Sequence, residues 1–410
     1  MSNLISNIAL GLSCAVLFVT AGCEGNPNFV NSGPSNVALT NDRSYIWTTG
    51  SVRLNATASD ADGDSLIYTW SATAGSFTSP SASGASITWV APNDPGSAMI
   101  TMRVTDEIET VAKSVDVIVG MALPNPITTV TLRDLGYVYI VKGTVPAQIL
   151  NGSAVTIEQG VVIVFDSGTS GLAVSGALVA RGAPGNPVEF IGNTLSGGSG
   201  LWNGIQADGI GSRVDLENTN VANSTDGIQG NDEAEITLDG CTIYDNSSYG
   251  VGVTDQAVLT MHNVHVTGNG VGVYIRNSNA ALSRSSINDN GDTGIMISAT
   301  AGAAEVSIDS CSITSNSGSE ILLVNGASPR IRYCSIIDTE PLANTYSIQL
   351  LSYASADTVH AENNFWGVGM NTAQKIGGVI CDKADSPGTI MAYVGFEPWL
   401  SSAPAKAGAR

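Results

Sequence analysis

Residues 239–246 read DGCTIYDN, and the pattern returns as DSCSITSN at 309–316 and as RYCSIIDT at 332–339. Aligned on that cysteine, Thr219, Cys241, Val264, Ser285, Cys311, Cys334 and Asn364 share one column, at intervals of 22, 23, 21, 26, 23 and 30 residues. Two residues later stand Val221, Ile243, Val266, Ile287, Ile313, Ile336 and Trp366. Three residues earlier stand Leu216, Leu238, Met261, Leu282, Ile308, Ile331 and Ala361. Apolar residues at alternate positions mark strands with one buried side. A further run follows in each unit: GVGV at 250, GVGVYI at 270, GIMI at 294 and EILLV at 320. Each unit thus holds three short strands and cannot bury its own apolar side. Stacking the units at about 4.8 Å buries that side as one continuous core.

The fold class is therefore all-β. A unit of more than 20 residues with three strands fits a right-handed parallel β-helix, and the recurrent glycines exclude an α-solenoid. Asn246, Asn269, Asn290 and Asn316 form another column, in which stacked amides can bond one another as a ladder. The cysteine column also accepts Thr, Val, Ser and Asn, so it calls for small volume and not for sulfur chemistry. Cys241 and Cys311 lie three coils apart, about 14 Å, too far for a disulfide. Cys311 and Cys334 are neighbours whose parallel side chains would strain the bond. Free buried thiols are expected, with Cys381 the only outside partner.

VTIEQGVVIVF and GLAVSGALVARG, with NNFWG at 363–367 and VGFEPWL at 394–400, resemble the opening coils and closing cap of a right-handed, pectate-lyase-like β-helix family of bacterial surface and exported proteins. The resemblance covers roughly 130–400 and implies a fold, not an activity. It implies coils over 144–366 and a C-terminal cap over 367–400, with a short helix within 371–379 and a last strand in 394–400. Residues 121–143 are expected as linker and N-terminal cap, and 401–410 as a disordered tail.

Residues 34–120 alternate apolar and polar in short runs, which predicts an immunoglobulin-like β-sandwich with Leu66, Tyr68 and Trp70 in its core. SDADGDSLIYTW followed by ITMRVTDE resembles PKD-type and cadherin-like modules of bacterial surface proteins. That resemblance implies Ca²⁺ on Asp60, Asp62 and Asp106, with Asp64 a further ligand, since clustered hard oxygens suit this ion. The same DxDGD is equally a good turn without metal.

The first 22 residues carry no charge, and IALGLSCAVLFV at 8–19 is too short to span a bilayer but suits a signal peptide. Thr20-Ala21-Gly22-Cys23 resembles a bacterial lipobox, which implies lipid attachment at Cys23, a tether over 23–33 and membrane contact through the lipid anchor alone. The expected location is the cell envelope, as an outer-membrane lipoprotein, or the extracellular space. With 36 acidic against 16 basic residues and a net charge of −20, a nucleic-acid partner is excluded.

The outward columns beside the cysteine slot hold mostly short hydroxyls and no neighbouring carboxylates for hydrolysis. Asp239 and His262 fall on adjacent coils, either as an acid–base couple or as a surface pair. Asp309, Arg332 and Glu362 do likewise. Tyr244 and Tyr274 are candidates for a sugar-stacking surface, and Gly252 and Gly272 for a strip open to a close partner. Two functions follow. One is a non-catalytic envelope lipoprotein displaying a surface for a polysaccharide or a cell-surface protein. The other is a polysaccharide lyase or hydrolase, supported only by the habit of the fold.

Overall fold

The computed structural model describes residues 30–79, 82–193, 198–299, 304–339, 345–353 and 356–410. The expected signal segment and Cys23 lie outside them. Among the described residues, parallel strands stack into three long faces, named here in the order in which each coil visits them. Face A runs from Val130–Leu132 to Val394–Gly395, face B from Tyr139–Val141 to Ser335–Ile337, and face C from Ala147–Ile149 to Ile380–Cys381. The interior is one apolar column bundle in which Leu216, Leu238, Met261, Leu282, Ile308 and Ile331 are stacked in register and buried.

DGCTIYDN supplies one corner of each coil. Asp239 ends a face A strand, Gly240 bends the chain with φ of 64°, Cys241 turns inward and Thr242–Tyr244 begins face B. The bend residue has positive φ in every aligned coil: Asn218, Gly240, Asn263, Arg284, Ser310, Tyr333 and Asn363. The left-handed conformation costs a side chain little enough that stacking overrides residue type here. A second left-handed residue follows at Asn223, Asp245, Gly268, Asp289 and Ser315. The ladder asparagines themselves come one residue after these.

The slot selects for more than small volume. Thr219 Oγ1, Ser285 Oγ and Cys334 Sγ each donate to the carbonyl two residues back, at 3.0, 2.9 and 3.2 Å. Cys241 Sγ donates to the carbonyls of Leu216 and Asp239. Ser285 Oγ, Cys334 Sγ and Asn364 Oδ1 also accept the slot N–H of the preceding coil. A small side chain that both donates and accepts satisfies backbone groups at a dry corner. The thiols of Cys241, Cys311, Cys334 and Cys381 are free and buried, and burial pushes the Cys241 thiol up to about 12.

The asparagine ladder is continuous. Asn246 Nδ2 donates to Asn269 Oδ1 at 2.8 Å, Asn269 to Asn290 at 3.1 Å and Asn290 to Asn316 at 2.8 Å, while Ser224 heads the stack on Asn246 Oδ1. Glycines stand against it: a Cβ on Gly250, Gly272 or Gly294 would lie within 2.9 Å of the amide nitrogen of the next coil's asparagine. The ladder ends where the following coil has Thr339 in place of Asn. There Glu320 replaces the column's glycine, and its buried carboxyl receives the Asn316 side-chain N–H. Burial, opposed by the Asn316 bonds, pushes the Glu320 carboxyl up to about 7.

Residues 35–122 enclose a second core between a four-stranded sheet and the antiparallel end of the face B sheet. Ser35–Asn41, Ser51–Ser59, Ser86–Val90 and Ser76–Phe77 pair antiparallel with one another, and so do Ile67–Ala72, Gly96–Thr105 and Thr110–Ala122. Val52, Leu54 and Trp89 from one sheet meet Trp70, Ile100 and Met102 from the other. Trp70 is buried and bonds the Gly84 carbonyl, whereas Leu66 and Tyr68, also expected in the core, are only half-buried at its edge. The last strand, Thr110–Ala122, passes the expected boundary at 120, and Met121 and Ala122 pair with Tyr139 and Ile140 of face B. Coil pairing begins inside the expected linker, at Val130–Leu132. Arg43 Nη1 lies 2.9 Å from Asp166, and the Asn193 carboxamide bonds both backbone groups of Tyr45, fixing the two parts together.

At the other end, Thr372 caps a short helix, Ala373–Gly377, and Val394–Gly395 pairs with Val359–His360. Residues 401–410, expected as a disordered tail, lie against the coils, because small residues let their backbone bond the solenoid's corner.

Candidate binding groove

The outward side of face A carries two columns. One runs Glu235, Val258, Asn279; the other runs Thr237, Thr260, Ala281, Ser307, Arg330. Strand periodicity aims both columns at solvent, and between Glu235 and Arg330 their side chains are short. The interval of 26 residues before Cys311 lengthens one coil and brings Ala304 and Glu305 to the edge of this surface. The result is a cavity of about 570 Å³ floored by Val258, Thr260, Asn279, Ala281 and Ser307, with Glu305 and Arg330 at its margin. A second hollow of about 380 Å³ shares Val258 and Asn279 and continues to Glu233, Glu235 and Gln256. Together they form a groove along the solenoid axis. Asn279 Oδ1 accepts the Glu305 N–H at 2.9 Å, which ties the long coil to the floor.

Carboxylates with basic partners stand one coil beyond each end. Arg181 grips Asp215 at 2.9 and 2.6 Å, and Arg213 adds a third contact at 2.5 Å. Burial alone would raise the Asp215 carboxyl, but the two guanidiniums outweigh it and hold the group below the usual carboxylate range. At the far end Arg330 is in register with His360, whose Nδ1 lies 2.9 Å from Glu362. Burial opposes, but the His360 bond and the nearby Arg330 charge lower the Glu362 carboxyl. Between them, the floor of the larger hollow is uncharged, while Glu233 and Glu235 line the smaller one.

The residues singled out from sequence fall on three different faces. Asp239 and His262 are register partners at the edge of face A, but His262 Nδ1 engages Ser283 Oγ of the following coil at 3.0 Å and Asp239 is exposed. Tyr244 is half-buried on face B, and burial raises its hydroxyl, reinforced by Glu189. Tyr274 is on face C, stacked on Tyr249 at 4.9 Å, and burial likewise raises it. Gly252 is not an open strip: the Gln229 side chain lies where its Cβ would be, and Gly272 pairs with Gly250 beneath the asparagine ladder. Arg332 and Asp309 do pair, at 2.9 Å, while Glu362 turns to His360 instead.

In the N-terminal unit the structure brings together Asp60, Asp62 and Asp64, whose carboxylate oxygens lie within 4.8 Å of one another. Asp106 is held differently, by the Asn31 amide at 2.8 Å and the N–H groups of Ile108 and Glu109. The Asn31 bond, with those N–H groups, lowers its carboxyl. Asp60 Oδ1 accepts the N–H of Asp62 and Asp64, as in a tight turn. Yet Asp60 Oδ2 and Asn31 Oδ1 are buried without a hydrogen-bond partner. A carboxylate oxygen left unsatisfied within a cluster of three carboxylates is the hard donor that Ca²⁺ takes.

A family profile described as a right handed beta helix region matches residues 143–283 and 260–375, more than half of the chain. The chain belongs to the right-handed β-helix family. No curated protein matches it. A solved structure, titled as a nucleoside hydrolase-related hypothetical protein from Saccharophagus degradans associated with carbohydrate metabolism, shares 26% identity over 22% of this chain. The match spans 26% of that protein's length, with a TM-score of 0.18. The β-helix family membership accounts for the three stacked faces. The groove on face A is not legible in the sequence, because the column six residues before the slot, Glu235, Val258 and Asn279, mixes charged, apolar and polar side chains. The 26-residue interval was the available signal.

Proposed function

We propose that this β-helix protein is a non-catalytic, exported envelope lipoprotein whose face A groove holds an extended carbohydrate chain. The observation that carries the reading is the groove itself, whose larger hollow has an uncharged floor of Thr, Asn, Ala and Ser running over several coils. Short polar side chains offer hydrogen bonds to sugar hydroxyls without blocking the approach, and Val258 adds an apolar patch for a ring face. Residues 34–120 serve as a PKD-like, immunoglobulin-type spacer with Ca²⁺ on Asp60, Asp62 and Asp64, and Cys23 carries the lipid. Asp239, His262, Tyr244 and Tyr274 lie outside the groove and take no part in this reading.

The test is retention on a panel of neutral and uronate polysaccharides, comparing the wild type with Ala281→Trp, which fills the groove. Retention lost in the variant supports the reading; equal retention removes the groove from it. The same incubations, with and without Ca²⁺, are followed for unsaturated products and reducing ends, and release of either establishes the lyase or hydrolase instead. Terbium luminescence that disappears in Asp60→Asn tests the ion, and loss of anchoring in Cys23→Ala tests the lipid.

A further inference from the structure

The corner between faces A and B bonds the chain's own Pro398, Leu400 and residues 408–410. The Pro398 carbonyl accepts the Asn363 N–H, and Leu400 donates to the Asn364 carbonyl at 2.9 Å. The chain then turns back along the stack. Gly408 donates to the Ser310 carbonyl at 3.0 Å, Ala409 to Ser286 Oγ at 3.0 Å, and Arg410 to Asn263 Oδ1 at 2.6 Å. The Asn263 amide returns a bond to the Arg410 carbonyl at 3.2 Å. These contacts step through three successive coils. Asn263, Ser310 and Asn363 are all left-handed bend residues, so the bend turns polar groups outward at a fixed spacing along the axis.

The segment suits the corner. Ala405, Ala407, Gly408 and Ala409 are small, and Gly408 is buried with φ of 92°. A Cβ there would come within 2.9 Å of Ser286 Oγ and 3.2 Å of Ser312 Cβ. The contacts are nevertheless few for the backbone they order, and Lys406 and Arg410 stay exposed. We propose that this corner is a docking track for an extended peptide and that residues 404–410 are its built-in, releasable occupant, a strap that covers the edge of face B beside Ser286 and Ser312. It leaves the face A groove uncovered. The strap does not depend on what the groove binds.

Trypsin cleavage after Lys406 in the intact protein reports the docked state. Gly408→Val adds a side chain that neither the backbone conformation nor the neighbouring serines accommodate, while leaving every coil residue in place. Cleavage after Lys406 is expected to accelerate at least tenfold in Gly408→Val, with Ser286→Ala intermediate and the far-ultraviolet spectrum unchanged. A cysteine introduced as Ser312→Cys should be labelled by a maleimide several-fold faster in the Gly408→Val background. Equal cleavage rates in wild type and Gly408→Val, or labelling that ignores the strap, would overturn the proposal.

Discussion

Glu320→Gln should make the protein more stable, and increasingly so as the pH rises. Glu320 is fully buried at the end of the asparagine ladder, and its carboxyl is pushed up to about 7 from an ordinary 4.5. The folded state therefore holds the proton more tightly than the unfolded chain does. For such a group stability is greatest below pH 4.5 and falls as the pH climbs through the window from 4.5 to 7, levelling off above it. At about 1.4 kcal/mol per tenfold change in proton affinity, the full cost is on the order of 3 kcal/mol. Roughly 1.4 kcal/mol of it is already present at pH 5.5, and about 2 kcal/mol more accrues by pH 8.5. Glutamine never ionises and keeps an oxygen for the Asn316 side-chain N–H. Its cost is the weaker contact between the Asn316 backbone N–H and Oε1, at 3.4 Å.

The assay is urea unfolding of both proteins at pH 5.5 and 8.5 at fixed ionic strength. These conditions stay above the isoelectric point of about 4.2. Repulsion within the acidic chain affects both proteins, so the difference between them isolates Glu320. The expected gap widens by about 2 kcal/mol between the two pH values. A constant gap would mean that the site is not dry or that Glu320 keeps one protonation state throughout. Glu320→Gly should behave differently again. It restores the column's usual glycine but strands the Asn316 amide, costing about 1–3 kcal/mol at every pH.

Breaking the ladder at its middle, Asn290→Ala, removes an acceptor from Asn269 and a donor to Asn316. It should cost roughly 3 kcal/mol or more in urea unfolding, with faster hydrogen exchange at Asn269. Gly272→Ala places a Cβ 2.5 Å from the Gly294 carbonyl and 2.7 Å from Ile287; overpacking there should cost about 1–3 kcal/mol. Cys241→Ser should be tolerated within about 1 kcal/mol, because serine already fills the slot at Ser285 and, like Cys241, donates to the carbonyl two residues back. Unreactive thiols in the native protein, freed only in denaturant, are the companion observation, since the buried Cys241 thiol stays protonated up to about 12.

The solenoid was legible because its signal repeats. Seven copies of an apolar pair flanking a small residue fix the register whatever any one copy contains. The asparagine column was legible for the same reason. The left-handed bend was not: Asn, Gly, Arg, Ser and Tyr all occupy it, because stacking on both sides holds the conformation and local preference decides nothing. Glu320 was half legible. EILLV aligns with GIMI and GVGVYI, so an acid stands in a glycine column, but its partner becomes visible only when the ladder is seen to stop at Asn316. The strap carried no apolar signal at all, since backbone groups make its bonds.

Columns also give adjacency without direction. Each outward side chain has a neighbour on the coil before and on the coil after, and chemistry decides between them. His262 is flanked by Asp239 and Ser283, and bonds the serine. Glu362 follows the Arg332 column, and pairs within its own strand end with His360. Only Asp309 and Arg332 join as the columns suggest. Exposed pairs of this kind contribute about 0–1 kcal/mol, so small differences in rotamer or turn geometry choose among them. The interior leaves no such choice, because an unpaired amide there costs more than any alternative gains. Hence the same alignment that fixes which residues face inward is silent on which surface residues act together. A groove has to be found from the shape of the stack, where one long coil meets two columns of short side chains.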